Sequence, residues 1–285
     1  MVIREFNSEI EFKNNGQLSL FFLGTGNAFS KKLFNNNLLI VKGEDHVLVD
    51  IGTLTPLSFS TFNTDIGKIK NLLITHAHSD HVGGVEELAL SAMYLYNEKI
   101  NLIIEDSFKK NLWNNTLKGG LGLRGEEKMR QKLTLDDYFV QIKPKNIKGA
   151  PRPFMNVNIG ELNLKLFRTK HEFLEKNNWD TGMYSLGVLI DERVLFTADT
   201  KFDRPLIKWL TTDYNIEHIF HDCSFNISAV HACYEELKSL PSELKSRTTL
   251  CHYSDTTAGF DVTTDGFAGM AKRGVYYDFA PLAYN

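Results

Sequence analysis

The sequence predicts an α/β protein built from two β-sheets packed face to face with helices outside. Two observations carry this reading: both halves of the chain alternate short apolar strands with helical stretches, and the polar residues suited to metal binding fall where those strands end. No repeat or low-complexity linker divides the 285 residues, so a single domain spanning 1–285 is the simplest account. An apolar content of 42% and a charged content of 24% are ordinary for a globular chain.

In order, Leu18–Leu23 reads as a strand ending in Gly24-Thr25-Gly26. Asn37–Val41 and His46–Asp50 follow as strands joined by a turn at Lys42–Asp45. The apolar stretch Ile69–Ile74 is a strand, Val85–Tyr96 has helical length and spacing, and Ile100–Ile104 is again a strand. In the C-terminal half, Leu162–Thr169, Tyr184–Ile190, Val194–Thr197, His218–Phe220 and Thr248–Cys251 read as strands. Arg204–Leu210 and Ala229–Ser239 read as helices. The segment Lys109–Arg152 stands apart, with eleven Lys or Arg against four Asp or Glu and a glycine-rich centre. It reads either as a solvated helical excursion or as a lid, arm or dimer element facing a phosphate-bearing ligand.

A net charge of −3 makes a nucleic-acid partner unexpected, though a local basic segment leaves it open. The N-terminus has no long apolar run and no stretch reaches transmembrane length, so no membrane partner is expected. Three cysteines, Cys223, Cys233 and Cys251, make no paired framework and favour a cytoplasmic setting.

The chemistry centres on Thr75-His76-Ala77-His78-Ser79-Asp80-His81. On an extended strand end, His76 and His78 point the same way and can hold one ion, while Asp80 and His81 lie close enough to serve a second. Imidazole with carboxylate suits Zn²⁺, and Mn²⁺ is served by the same donors. His171, Asp199 and His252 each follow a predicted strand, the usual place for a ligand on a sheet scaffold. His46, His218 and His231 are less committed, and His231 reads equally as a residue near the pocket or as helix-face packing.

With these residues in place, the chain resembles the metallo-β-lactamase fold superfamily, in its phosphodiesterase branch near ribonuclease Z. The resemblance runs from Phe22-Leu23-Gly24-Thr25-Gly26 to His252-Tyr253-Ser254. It implies a four-layer αββα sandwich with two divalent metal ions at one edge. Residue by residue, it implies that His76, His78 and His171 hold the first ion, that Asp80, His81 and His252 hold the second, and that Asp199 bridges. Asp50 matches the family's supporting aspartate behind the histidine loop. The glycine loop and Ile219-Phe220-His221-Asp222-Cys223-Ser224, in the place of the family's His-Glu-Ala-Thr motif, point to phosphodiesters. The change to His-Asp-Cys-Ser keeps the histidine and an acidic neighbour but departs from ribonuclease Z itself.

Two cations about 3.5–4 Å apart activate a bridging water and neutralise charge developing on a phosphate. Asp80 is then both a ligand and an acceptor for the nucleophile, and His221 is the candidate for protonating the leaving ribose oxygen or stabilising the phosphate. Among such enzymes the chain is most similar to the anti-Pycsar cyclic nucleotide phosphodiesterases. That resemblance implies a metal-dependent phosphoric diester hydrolase. Its expected substrates are 3′,5′-cyclic mononucleotides, cyclic CMP and cyclic UMP included, in the setting of cyclic-nucleotide antiphage immunity. It also implies a homodimer. A tRNA 3′-processing endonuclease, a non-catalytic nucleotide sponge or sensor, and a glyoxalase II or lactonase relative are the alternatives.

Overall fold

The computed structural model describes residues 1–125, 131–172, 179–257 and 260–281. In chain order its strands are Val2–Glu5 (β1), Leu18–Gly24 (β2), Asn37–Lys42 (β3), Asp45–Val49 (β4), Asn71–Leu73 (β5) and Ile100–Ile103 (β6). A small hairpin, Leu123–Arg124 (β7) and Gln131–Lys132 (β8), precedes Phe139–Ile142 (β9), Lys145–Asn146 (β10), Phe154–Ile159 (β11) and Leu162–Arg168 (β12). Leu186–Ile190 (β13), Val194–Phe196 (β14), His218–Asp222 (β15), Thr248–Cys251 (β16), Gly269–Met270 (β17) and Val275–Phe279 (β18) complete them.

Among the described residues two eight-stranded sheets form, in the orders β1-β18-β2-β3-β4-β5-β6-β9 and β10-β11-β12-β13-β14-β15-β16-β17. Strand β2 shows why they face each other. All seven of its residues are buried, and the period-2 alternation of a strand splits them between two cores. Leu18, Leu20 and Phe22 meet Leu164, Val188 and Phe196 of the other sheet. Phe21 and Leu23 turn outward against Phe59, Val85 and Leu88 of the first helical layer. On the far side, Phe167, Leu195, Ile219 and Leu250 pack under Leu206 and Leu210 of the helix Arg204–Asp213. The αββα sandwich expected of the sequence is the architecture observed.

Each sheet is antiparallel on one side and parallel on the other. β4, β5, β6 and β9 run parallel, as do β14, β15, β16 and β17. Parallel strands deliver their carboxyl ends to one edge, where open α/β sheets place their ligands.

Three expected elements differ in extent, and β1, β11, β17 and β18 form where no strand is expected. β5 is shorter than Ile69–Ile74, because Ile69 N–H closes a turn onto the Ile66 carbonyl and Thr75 N–H goes to the Asp50 side chain. The helix over Val85–Tyr96 is α-helical only to Ser91 and widens into a π-turn over Ala92–Tyr96. The helix expected over Ala229–Ser239 is confined to Tyr234–Leu237. Residues before it form a loop in which Ser224 N–H bonds the Ala232 carbonyl. The segment 109–152 is woven into the fold. Its β9 is the edge of the first sheet, its β10 the edge of the second, and Leu112, Leu117, Leu121, Leu133, Leu135 and Phe139 lie in the core.

Candidate metal centre

Six strand ends supply the site. Asp50 follows β4, and Thr75–His78 follow β5. The single turn Ser79–Val82 then carries Asp80 and His81. His171 follows β12, Asp199 follows β14, Asp222 ends β15 and His252 follows β16. Turning sharply out of a strand brings backbone strain. Asp50, Glu172, Ala198 and His252 all have left-handed φ, at 64°, 41°, 47° and 63°, a conformation that costs a non-glycine residue about 1–3 kcal/mol. Such strain gathered at one edge marks a site that the surrounding fold holds in place.

Two donor sets meet there. In one, His76 Nε2 and His171 Nε2 each lie 3.1 Å from His78 Nδ1, and Asp199 Oδ2 is 3.8 Å from His76 Nε2. In the other, His81 Nε2 is 3.3 Å from both Asp80 Oδ2 and Asp199 Oδ2, and His252 Nε2 is 3.4 and 3.3 Å from the same two oxygens. Ligands about 2.0–2.1 Å from a tetrahedral zinc ion stand about 3.3–3.4 Å from one another. The separations therefore fit a cation at the centre of each set, with Asp199 Oδ2 common to both. All seven residues that the sequence nominated as ligands are brought together. His81 Nε2 and Asp199 Oδ1 are buried without a hydrogen-bond partner among the described residues, as atoms aimed at an ion would be.

Electrostatics agree. Burial keeps the His76 imidazole well below its ordinary value, so it offers a lone pair, and His171 is lowered for the same reason. Burial opposes charge on Asp199, yet His252 and His81 hold its carboxyl well below the usual range. Against burial, Asp199 raises His252 to about 10, and Asp199 with Asp80 raises His81. The buried carboxylates thus demand positive charge, which a divalent cation would supply in place of ring protons.

The back nitrogens of His76, His171 and His81 are hydrogen-bonded, which fixes their tautomers, and that of His252 faces a carboxylate. His76 Nδ1 lies 3.0 Å from Thr75 Oγ1, and His171 Nδ1 is 3.1 Å from the Val230 carbonyl. His252 Nδ1 is 3.4 Å from Asp222 Oδ1. Asp50 accepts from His81 Nδ1, Thr75 N–H and Thr75 Oγ1–H, each at 2.7 Å. The glycine loop acts on the backbone: the Thr25 carbonyl accepts from His252 N–H at 2.8 Å, and Asn27 N–H bonds the Tyr253 carbonyl at 3.1 Å.

The structure does not bring His221 into this cluster. Its ring is 1% exposed, bonds the Asp222 carbonyl at 2.7 Å and lies beside Phe202. Alternation explains this, since Asp222 takes the site-facing position at the end of β15 and sends His221 to the helical side. His231 arrives instead. Its Nδ1 lies 2.8 Å from Asp222 Oδ2, and its ring packs against those of His252 and His171, with centroids 4.6 and 5.5 Å apart. Asp222 Oδ2 also accepts from Thr200 N–H at 2.9 Å. A helix starting at residue 229 would have hidden this. Glu236, placed to cap the Cys233 N–H, was the signal that the helix begins beyond His231.

Compared with known proteins, residues 18–277 match the family model described as "Anti-Pycsar protein Apyc1". The chain is 34% identical over 261 residues to the anti-Pycsar protein Apyc1 of Paenibacillus sp. (strain J14), covering 91% of this chain and 98% of that one. It is 35% identical over 259 residues to the Apyc1 protein of Bacillus phage BSP38, covering 90% and 96%. Among solved structures, unliganded yeast PDE1 superposes with a TM-score of 0.63 at 12% identity, covering 93% of this chain and all (100%) of that one. The metallo-β-lactamase fold protein YhfI from Bacillus subtilis superposes with a TM-score of 0.62 at 14% identity, covering 92% and 100%. These two likenesses are of fold.

Proposed function

The chain belongs to the anti-Pycsar Apyc1 family, and from that membership we propose that it is a metal-dependent phosphodiesterase that opens 3′,5′-cyclic mononucleotides, cyclic CMP and cyclic UMP included, to nucleoside monophosphates. Loss of the cyclic signal would then blunt the immunity that the family name refers to. The observation that carries the chemistry is the pair of donor sets sharing Asp199 Oδ2. His76, His78, His171 and Asp199 would hold one ion, and Asp80, His81, His252 and Asp199 the other. Zn²⁺ suits these donors, and Mn²⁺ is compatible. Such a pair supplies Lewis acidity and water activation near neutral pH.

The chain's own residues do the rest. Water adds to phosphorus, the bond to one ribose oxygen breaks, and that oxygen needs a proton. His231 is the group we assign to deliver it. Its Nδ1 is committed to Asp222, which leaves Nε2 as the exchanging atom, and against burial Asp222 raises the affinity of the ring for its proton. Asp222 also faces His252 Nδ1, so one carboxylate orients both the proton donor and a ligand. To Asp80, 4% exposed and shared between His81 and His252, we assign the role of accepting from the nucleophile. A homodimer belongs to the same proposal and is decided by light scattering.

The test is mass spectrometry of protein loaded with Zn²⁺ or Mn²⁺ against cyclic CMP, cyclic UMP and a precursor tRNA. We expect nucleoside monophosphate from both cyclic nucleotides, abolished by chelator and by Asp199→Ala, and no tRNA cleavage. Efficient tRNA trimming without cyclic nucleotide turnover would overturn the reading.

A further inference from the structure

Three of the five ligand histidines, His76, His81 and His171, are hydrogen-bonded from behind by Thr75, Asp50 and the Val230 carbonyl, and His252 Nδ1 faces the buried Asp222 carboxylate at 3.4 Å. His78 differs twice. It faces the other donors through Nδ1, where His76, His81, His171 and His252 face in through Nε2. Its outward Nε2 lies 3.3 Å from Glu172 Oε1, on a side chain 47% exposed. Glu172 follows the ligand His171 directly and has a left-handed φ of 41°, held by a bond from Met183 N–H to its carbonyl at 2.9 Å. That backbone is costly for a glutamate, and it aims the carboxylate back at the neighbouring ligand.

We propose that Glu172 is a positioning residue of the first ion: it accepts the Nε2 proton of His78, which leaves the Nδ1 lone pair facing the ion. An imidazole with one ring nitrogen bound to a proton acceptor presents the other as a ligand, and a carboxylate in that position also raises ligand basicity. His78 is the most exposed of these rings, at 31% of its side chain, so without Glu172 water competes for the tautomer. The consequence is selective. Glu172 reaches one donor set and leaves the Asp80, His81 and His252 set alone.

This rests on the two-ion reading above, and the test separates the two. Stripped protein is titrated with Zn²⁺ against a chromophoric chelator to give two dissociation constants, with circular dichroism recorded on the stripped protein. In Glu172→Ala one constant should weaken about 10- to 100-fold, with the other and the spectrum unchanged. Glu172→Gln, whose amide oxygen also accepts, should stay within a few-fold of the parent. ¹⁵N spectra of the loaded parent should show the His78 proton on Nε2. Two tight constants unmoved by Glu172→Ala, both weakened alike, or Glu172→Gln as weak as Glu172→Ala would each overturn the role of Glu172. A parent that binds no ion pair would overturn the metal reading itself.

Discussion

His221 and His231 differ by ten positions, and only the second stands among the ligands. Their substitutions should therefore fail in different ways. His231→Ala should lower kcat on a cyclic nucleotide by about 10²- to 10⁴-fold, with ion content retained. On a p-nitrophenyl ester, whose leaving group needs no proton, the loss should nearly vanish. His221→Ala, which removes a buried partner of the Asp222 carbonyl, should instead cost about 1–3 kcal/mol of stability, read from urea midpoints. Equal kinetic losses in both variants would refute the assignment of the proton donor. The seven ligands were legible because each is a polar residue at the end of an apolar strand. Asp222 was not, because which face a strand-end residue takes depends on the last pairing in the sheet, and β15 stays paired with β16 through Asp222. His231 was legible only as one of two readings, because a helix begun at Ala229 gave it a packing role as readily as a place near the pocket.

At the level of elements, the turn carrying Asp80 depends on a glycine that the motif does not advertise. A Cβ on Gly52 would overlap the Asp80 carbonyl oxygen and stand 2.8 Å from Asn35 Oδ1. Both belong to backbone or hydrogen-bonded groups that have nowhere to go, since Asn35 Oδ1 accepts from Leu54 N–H. Gly52→Ala should cost about 1–3 kcal/mol through overpacking and reduce ion content after dialysis, measured by elemental mass spectrometry. Gly119→Ala is the control, because a Cβ there meets nothing within 4 Å in a helix where alanine is favoured by up to about 1 kcal/mol. Retention of both ions by Gly52→Ala would show that the turn tolerates the shift. The strands that carry the site were legible from their apolar runs, while β1, β11, β17 and β18 were not legible as strands. Segment 109–152 was not, since Leu112, Leu117 and Leu121 lie on a helical run that widens into a π-turn over Trp113–Leu117, and no single period runs long enough to register.

The two sheets also bury histidines that take no part in the site, and these set how the whole molecule meets acid. His46 opens into the first sheet's lower end, where its Nε2 accepts from Lys70 N–H at 3.1 Å and its ring packs on Phe12. His218 lies between Phe220 and Phe279 with Nε2 2.8 Å from Thr249 Oγ1. Burial is the first cause that lowers each ring from 6.5 to about 4. Between those values the unfolded chain binds protons that the native rings refuse, so stability rises with pH across that window. The contribution is whole above pH 6.5 and is lost as pH falls toward 4, at most about 3 kcal/mol for each ring. The ligand histidines titrate as well, so the measurement must isolate these two. Urea midpoints at pH 7 and pH 4.5 should fall less in His46→Gln and His218→Gln than in the parent, and least in the double variant, because glutamine has no proton to gain. His46 packs on Phe12 and His218 on Phe220 and Phe279, and they share no partner among the described residues, so their effects should add. A double variant that loses as much stability on acidification as the parent would show that acid acts elsewhere, through the ligand cluster or the buried His221.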